Sequence, residues 1–168
     1  VGTLTFAEAT VAAMLEDLLG QLRKVGARVV LVLSGHYGDC QMDLVRRVTE
    51  DFGRRHGEMR ILATAEYEGV LVDGVPPADH AKKHETALMA ALHPGLVRME
   101  AYRTGPRRVH CYGDVPYDVY REPDLVTPEQ DLPALATPAF GERIVGAVVS
   151  RLSGWILDAL AELGIPHA

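Results

Sequence analysis

Val11, Leu15, Leu18, Leu22 and Val25 recur at helical spacing between Thr5 and Gly26. That period predicts an amphipathic helix. Thr5-Phe6-Ala7-Glu8 reads as a capping box at its start, and Gly26 closes it. From Ala27 to Leu33 the pattern becomes an unbroken β-branched apolar run. A run without polar alternation predicts a strand buried on both faces, and hence a parallel sheet. A second helix follows the polar loop Ser34–Asp39, with Leu44, Val45, Val48 and Phe52 inward and Gly57 beyond its end. Met59 to Ala65 is a second short strand, which completes a βαβ unit with a helix before it. Tyr67 to Ala78 reads as a loop rich in Gly and Pro. A third helix is predicted from about His80 to Leu92, stopping before Pro94. Phe140 to Leu163 is a long amphipathic helix, with Ile144, Val148, Leu152, Trp155, Ile156 and Leu160 on its core side. Between these last two, Ala101 to Pro138 holds most of the prolines and four of the six tyrosines. Long irregular segments of this kind usually shape a site or an interface.

Two segments within this frame carry chemistry. Ser34-Gly35-His36-Tyr37-Gly38-Asp39 follows the first strand directly, where open α/β sheets place their ligand crevice. Gly35 and Gly38 let the backbone turn sharply and approach a ligand, Tyr37 is placed to stack on a small planar molecule, and Asp39 is expected to cap the next helix. The second segment gathers Asp79, His80, His84 and Glu85. On a regular helix His80 and His84 share one face, a spacing that can hold zinc. Glu85 would then lie about 140° round the axis from His80. The alternative places His80 in the preceding loop and turns Glu85 inward from the first turn. His56 precedes a helix-ending glycine and is expected to meet the helix dipole. No GxSxG elbow, P-loop or GxGxxG is present, so serine, cysteine and phosphate chemistry have no support.

Composition narrows the partners. At 168 residues with 48% apolar content, the chain suits one domain with a sizeable core. Net charge is −6 with scattered Lys and Arg, which argues against nucleic acid as a partner. No stretch approaches the roughly 18 apolar residues that span a bilayer, so no membrane partner is expected. The N-terminus shows no signal-peptide pattern, and the two cysteines form neither a CxxC pair nor a disulfide framework, so cytoplasmic localisation and reduced thiols are expected.

The ordered motifs resemble the creatininase family of metal-dependent amidohydrolases. Gly2-Thr3-Leu4-Thr5 is similar to the family's Gly-Thr-Ile/Leu segment, and Val30 to Asp39 to its strand and Asn-Gly-His-Gly-Gly-Asn turn. His80-Ala81 with Glu85-Thr86-Ala87-Leu88-Met89 resembles His-Ala-Gly-Glu-x-Glu-Thr-Ser-Leu-Met. Pro94-Gly95-Leu96-Val97, Ala136-Thr137 and Gly141-Glu142 match three later motifs. The resemblance implies a three-layer α/β/α sandwich around a mostly parallel sheet, assembled into homo-oligomers. It implies that His36 and Glu85 are metal ligands, that His80 is the acid/base residue supported by Asp79, and that Tyr37 and Gly38 border the substrate. The implied reaction is hydrolysis of a non-peptide amide, cyclic or formyl, by water activated on zinc or manganese, two ions in the family.

The family also carries a Glu-x-His and an Asp before the segment that matches Val1, and these have no counterpart here. Other departures are Ser34 for Asn, Lys82-Lys83 for Gly-Glu and Ala87 for Ser. The expectation is one creatininase-like domain over 1–168, incomplete at its N-terminus. Three readings follow: part of an active hydrolase, a chain that works with a partner supplying the missing ligands, or a non-catalytic subunit. A single-zinc protein using His80 and His84 is a further alternative.

Overall fold

The computed structural model describes residues 6–35, 38–79, 82–102 and 132–166. The elements are α1 (Glu8–Lys24), β1 (Val29–Ser34), α2 (Asp39–Arg55), β2 (Arg60–Ala65), α3 (Lys83–Leu92), the short α4 (Leu132–Leu135) and α5 (Pro138–Glu162). They fall into two compact units, Thr5–Gly69 with Val148–Ala168, and Val1–Leu4 with Val70–Ala147.

In the unit built on Thr5–Gly69, β1 and β2 pair in parallel, from Val29 opposite Arg60 to Ser34 opposite Ala65. The βαβ unit predicted from the apolar runs is therefore present. Val30, Val32 and Ile61 pack with Ala27 and Leu15 against buried Leu19, Phe52 and Met59. Leu19 and Met59 are 0% and 2% exposed. Full burial of such side chains contributes about 1.5–3 kcal/mol each. The half-exposed Arg23–Glu58 pair (2.5 Å) belongs to a class worth under about 1 kcal/mol, so packing dominates. Leu44, Val45, Val48 and Phe52 are all buried along α2, as its pattern predicts.

Several local expectations need correction. Val29 to Val32 of β1 are half-buried rather than buried on both faces, and Leu33 is 47% exposed. Alternation explains this: Val30 and Val32 face the α1–α2 layer, whereas Leu31 and Leu33 point the other way. The N-cap of α1 is Ala7, which makes no side-chain cap, and Thr5 of the expected capping box lies outside the described residues. Asp39 is the first residue of α2 rather than its cap, which is Gly38. Gly26 does close α1. At φ +86 it donates to the Arg23 carbonyl while Ala27 donates to Leu22, a Schellman pair. His56 is the C-cap of α2, with its ring 4.5 Å from that of Phe52.

In the unit built on Val70–Ala147, the Gly- and Pro-rich segment read as a loop holds a tight hairpin turn. Val72 and Val75 pair across Asp73 and Gly74, whose φ values of 55 and 81 make a type I′ turn. The carboxylate of Asp73 accepts a hydrogen bond from Arg143. Helix α3 begins at Lys83, not His80. Ala87, Leu132 and Ala136 form a buried cluster with Met99, Tyr102 and Phe140 around it. A Cβ on Gly141 would stand 2.0 Å from the Ala87 carbonyl oxygen, so only glycine lets the start of α5 approach α3 this closely.

Helix α5 runs from Pro138 to Glu162 and ends in a second Schellman pair, Gly164 to Ala161 and Ile165 to Leu160. Ile144 and Ala159 are buried along it, while Val148, Leu152, Trp155, Ile156 and Leu160 are half-buried. By length and composition alone α5 is long and apolar enough to cross a membrane, with a mean hydropathy of 1.5 over 18 residues. This corrects the expectation that no stretch qualifies, because mean hydropathy tolerates the isolated charges Arg151 and Asp158.

Candidate active site

His36, Tyr37 and His80 lie outside the described residues, as does most of the tyrosine-rich segment with Cys111. Cys40 is a free, exposed thiol.

Around the C-terminal ends of the two strands, Ser34 is buried and its Oγ accepts from Gln41 Nε2 at 2.9 Å. Gly38 is exposed, and its carbonyl accepts from the Gln41 and Met42 amides at the start of α2. Beyond β2, Glu68 accepts from Thr64 Oγ1 at 2.9 Å and from Arg46 at 2.7 Å. Burial alone would raise the Glu68 pKa, but these bonds outweigh it and hold the carboxyl below its ordinary value. Burial, then the carboxylates of Glu66, Glu68 and Asp39, push the Tyr67 phenol up. Glu66 Oε2 is buried without a hydrogen-bond partner among the described residues. Sequence pattern alone does not single out Glu66 and Glu68. The signal that could find them is a pair of acids flanking an aromatic residue directly after a strand.

In the other unit the centre is Asp79. Its Oδ2 accepts the His84 amide at 2.8 Å, and Oδ1 accepts the Glu85 amide at 3.2 Å. These are the second and third amides of α3, the ones an N-cap side chain serves. Lys82, the formal N-cap, makes no side-chain cap, so Asp79 takes that task from three residues earlier. His84 Nδ1 also lies 2.7 Å from Asp79 Oδ2. A carboxylate only accepts, so Nδ1 carries the proton. The His84 side chain is 7% exposed, its Nε2 has no partner among the described residues, and its ring sits 5.5 Å from that of Phe140.

These bonds join Asp79, His84 and Glu85 at the mouth of α3. Helix α3 starts at Lys83 with Lys82 extended at its N-cap, and His80, the expected zinc partner of His84, lies outside the described residues. No motif announces the Asp79–His84 pair, since contact across five residues depends on how the intervening loop folds.

A sequence profile of the creatininase family, described as creatinine amidohydrolase, matches residues 1–156. The chain belongs to the creatininase family. The creatinine amidohydrolase of Pseudomonas putida is 25% identical over 181 residues, covering 99% of this chain and 64% of that protein. The chain thus spans just under two thirds of the length of that relative. A crystal structure of creatininase matches with a TM-score of 0.66 at 23% identity, covering 99% of this chain and 68% of that one. A mutant creatininase complexed with creatine matches with a TM-score of 0.67, also at 23% identity, covering 99% and 69%. The fold is the creatininase fold, an α/β architecture with a parallel sheet.

Creatininase structures of a Mn form and of a Zn-Zn type share that fold. Imidazole and carboxylate donors such as His36 and Glu85 suit either metal. Among the described residues, however, no three His, Cys, Asp or Glu side chains gather to hold an ion. Of the expected ligand pair, Glu85 is described and His36 is not.

Proposed function

We propose that this chain carries the acid/base machinery and part of the ligand set of a metal-dependent amidohydrolase acting on a non-peptide amide, cyclic or formyl. The observation that carries this reading is the family match over residues 1–156. Zinc or manganese, when bound, supplies an activated water. His36 and Glu85 are the ligands from this chain, and Tyr37 and Gly38 border the substrate. His80, three residues before α3 in the sequence, moves the proton. Asp79 serves this arrangement by fixing the first turn of α3, and with it the backbone of Glu85. The remaining ligands, a Glu-x-His and an Asp by family resemblance, lie outside these 168 residues, in the same longer chain or in a partner chain, and a homo-oligomer is the expected setting.

A second reading, a non-catalytic creatininase-like subunit, has one observation in its favour. Lys82 and Lys83 stand at the N-terminal end of α3, where the helix dipole is already positive. A cation site beside Glu85 must overcome that charge.

Elemental analysis separates the readings. With the family's remaining region supplied, the hydrolase retains two metals per site, loses metal on His36→Ala, and keeps it on His80→Ala while turnover falls. Failure of any variant to alter metal content, with none bound to the parent protein, rejects the hydrolase in favour of the non-catalytic subunit.

A further inference from the structure

His84 occupies the open position of the motif His-Ala-Gly-Glu-x-Glu-Thr-Ser, directly before the expected ligand Glu85. Its ring is nevertheless held from two sides. On one side Nδ1–H donates to Asp79 Oδ2 at 2.7 Å, the same oxygen that accepts the His84 amide at 2.8 Å. One carboxylate oxygen thus ties the imidazole to the backbone of its own helical turn. On the other side lies the Phe140 ring, at 5.5 Å and tilted by 45°. Phe140 is itself placed by α5: its amide donates to Thr137 Oγ1 at 3.2 Å, and the Arg143 guanidinium stands 5.5 Å from its ring centre. His84 and Ala87, three residues apart, share one face of α3, and both are buried. The close approach of Gly141 to the Ala87 carbonyl presses that face onto α5.

This arrangement fixes the residue that follows. Successive helix residues lie about 100° apart round the axis, so turning His84 toward α5 sets the direction in which Glu85 leaves the helix. The Glu85 amide is held by the other oxygen of Asp79, at 3.2 Å. That bond is long and restrains little by itself. The 2.7 Å ring bond is charge-assisted and is the stronger anchor of the carboxylate. Without it the carboxylate can turn about its own axis, and the long Glu85 bond is the first to go. We propose that His84 is a positioning residue for the metal site: through Asp79 it fixes the first turn of α3 and so aims the Glu85 carboxylate. The proposal rests on the reading of Glu85 as a metal ligand.

Two measurements test this. The first needs no metal: nitrogen NMR of the 168-residue chain should show the neutral His84 ring protonated at Nδ1, a preference that Asp79→Ala removes. A ring protonated at Nε2 overturns the proposal. The second is zinc affinity, read by competition with a chelator, in the protein completed with the family's remaining region. His84→Phe keeps a ring against Phe140 but drops the bond to Asp79, and should weaken zinc binding by about tenfold, the scale of a lost outer-shell partner. The amide nitrogen of asparagine stands near the place of Nδ1, and that of glutamine near Nε2. His84→Asn should therefore recover most of the affinity and His84→Gln should not, a comparison that decides the matter even where His84→Phe does not fold. Equal affinity in all variants, or recovery by glutamine instead of asparagine, overturns the proposal. Turnover read in parallel separates it from the hydrolase reading. A completed protein that binds zinc and hydrolyses no amide defeats that reading while the affinity series still judges His84, and one that binds no zinc overturns both.

Discussion

At the residue scale, Asp79 performs three tasks with one carboxylate: it accepts two helix amides and the ring of buried His84. Loss of an N-cap group costs about 1 kcal/mol, and an abandoned buried donor costs about 1–3 kcal/mol more. Asp79→Ala should therefore lower unfolding stability by about 2–4 kcal/mol, read as a lower urea midpoint at unchanged m. A change within error would show that the cap is not used. Glu68 predicts a pH effect of definite sign. Its pKa is lowered in the folded state from an ordinary 4.5, so its contribution is full above that pH and is lost as pH falls through the folded value. The acid limb of stability against pH should be shallower in Glu68→Gln. Asp79 and His84 stand out singly in the sequence, as a carboxylate and an imidazole close to a predicted helix start. Their pairing does not, since His84 reaches Asp79 only through the fold of the intervening loop.

At the scale of elements, the apolar period located the long helices and the two strands found among the described residues, because burial against one neighbouring layer imposes it. The ends were less legible. Helix α3 is capped from three residues before its N-cap position, outside the window in which capping signals are read, and Ala7, the N-cap of α1, has no side chain that could cap it. The glycines of α5 offer a paired test. Replacing an exposed helix glycine by alanine gains up to about 1 kcal/mol. A methyl added at Gly146 would meet nothing within 4 Å, so Gly146→Ala should be neutral or stabilising. At Gly141 the methyl meets the Ala87 carbonyl at 2.0 Å, and overpacking of about 1–3 kcal/mol should exceed the propensity gain. Gly141→Ala should thus lower the melting temperature while Gly146→Ala does not. The reverse order would mean that the α3–α5 contact is loose. In the hairpin, Gly74 at φ +81 should lose about 1 kcal/mol as Gly74→Ala by the same denaturation assay.

At the scale of the whole molecule, the family was legible because its motifs occur in order along the chain, and the profile match over residues 1–156 agrees with that order. The half-covered strands were not legible, since an apolar run does not say which neighbour covers each face. Under the proposed function, His80, with ligands His36 and Glu85, serves hydrolysis of a non-peptide amide once the rest of the ligand set is present. Turnover on a panel of cyclic amides and formamides tests it most directly, with zinc or manganese, for this chain alone and with the family's remaining region supplied. The account predicts turnover only in the completed protein, falling by roughly 100-fold or more in His80→Ala, the scale of a lost general acid/base. Metal-dependent turnover by the 168 residues alone, or a completed protein that binds its metals and hydrolyses no amide, would contradict it.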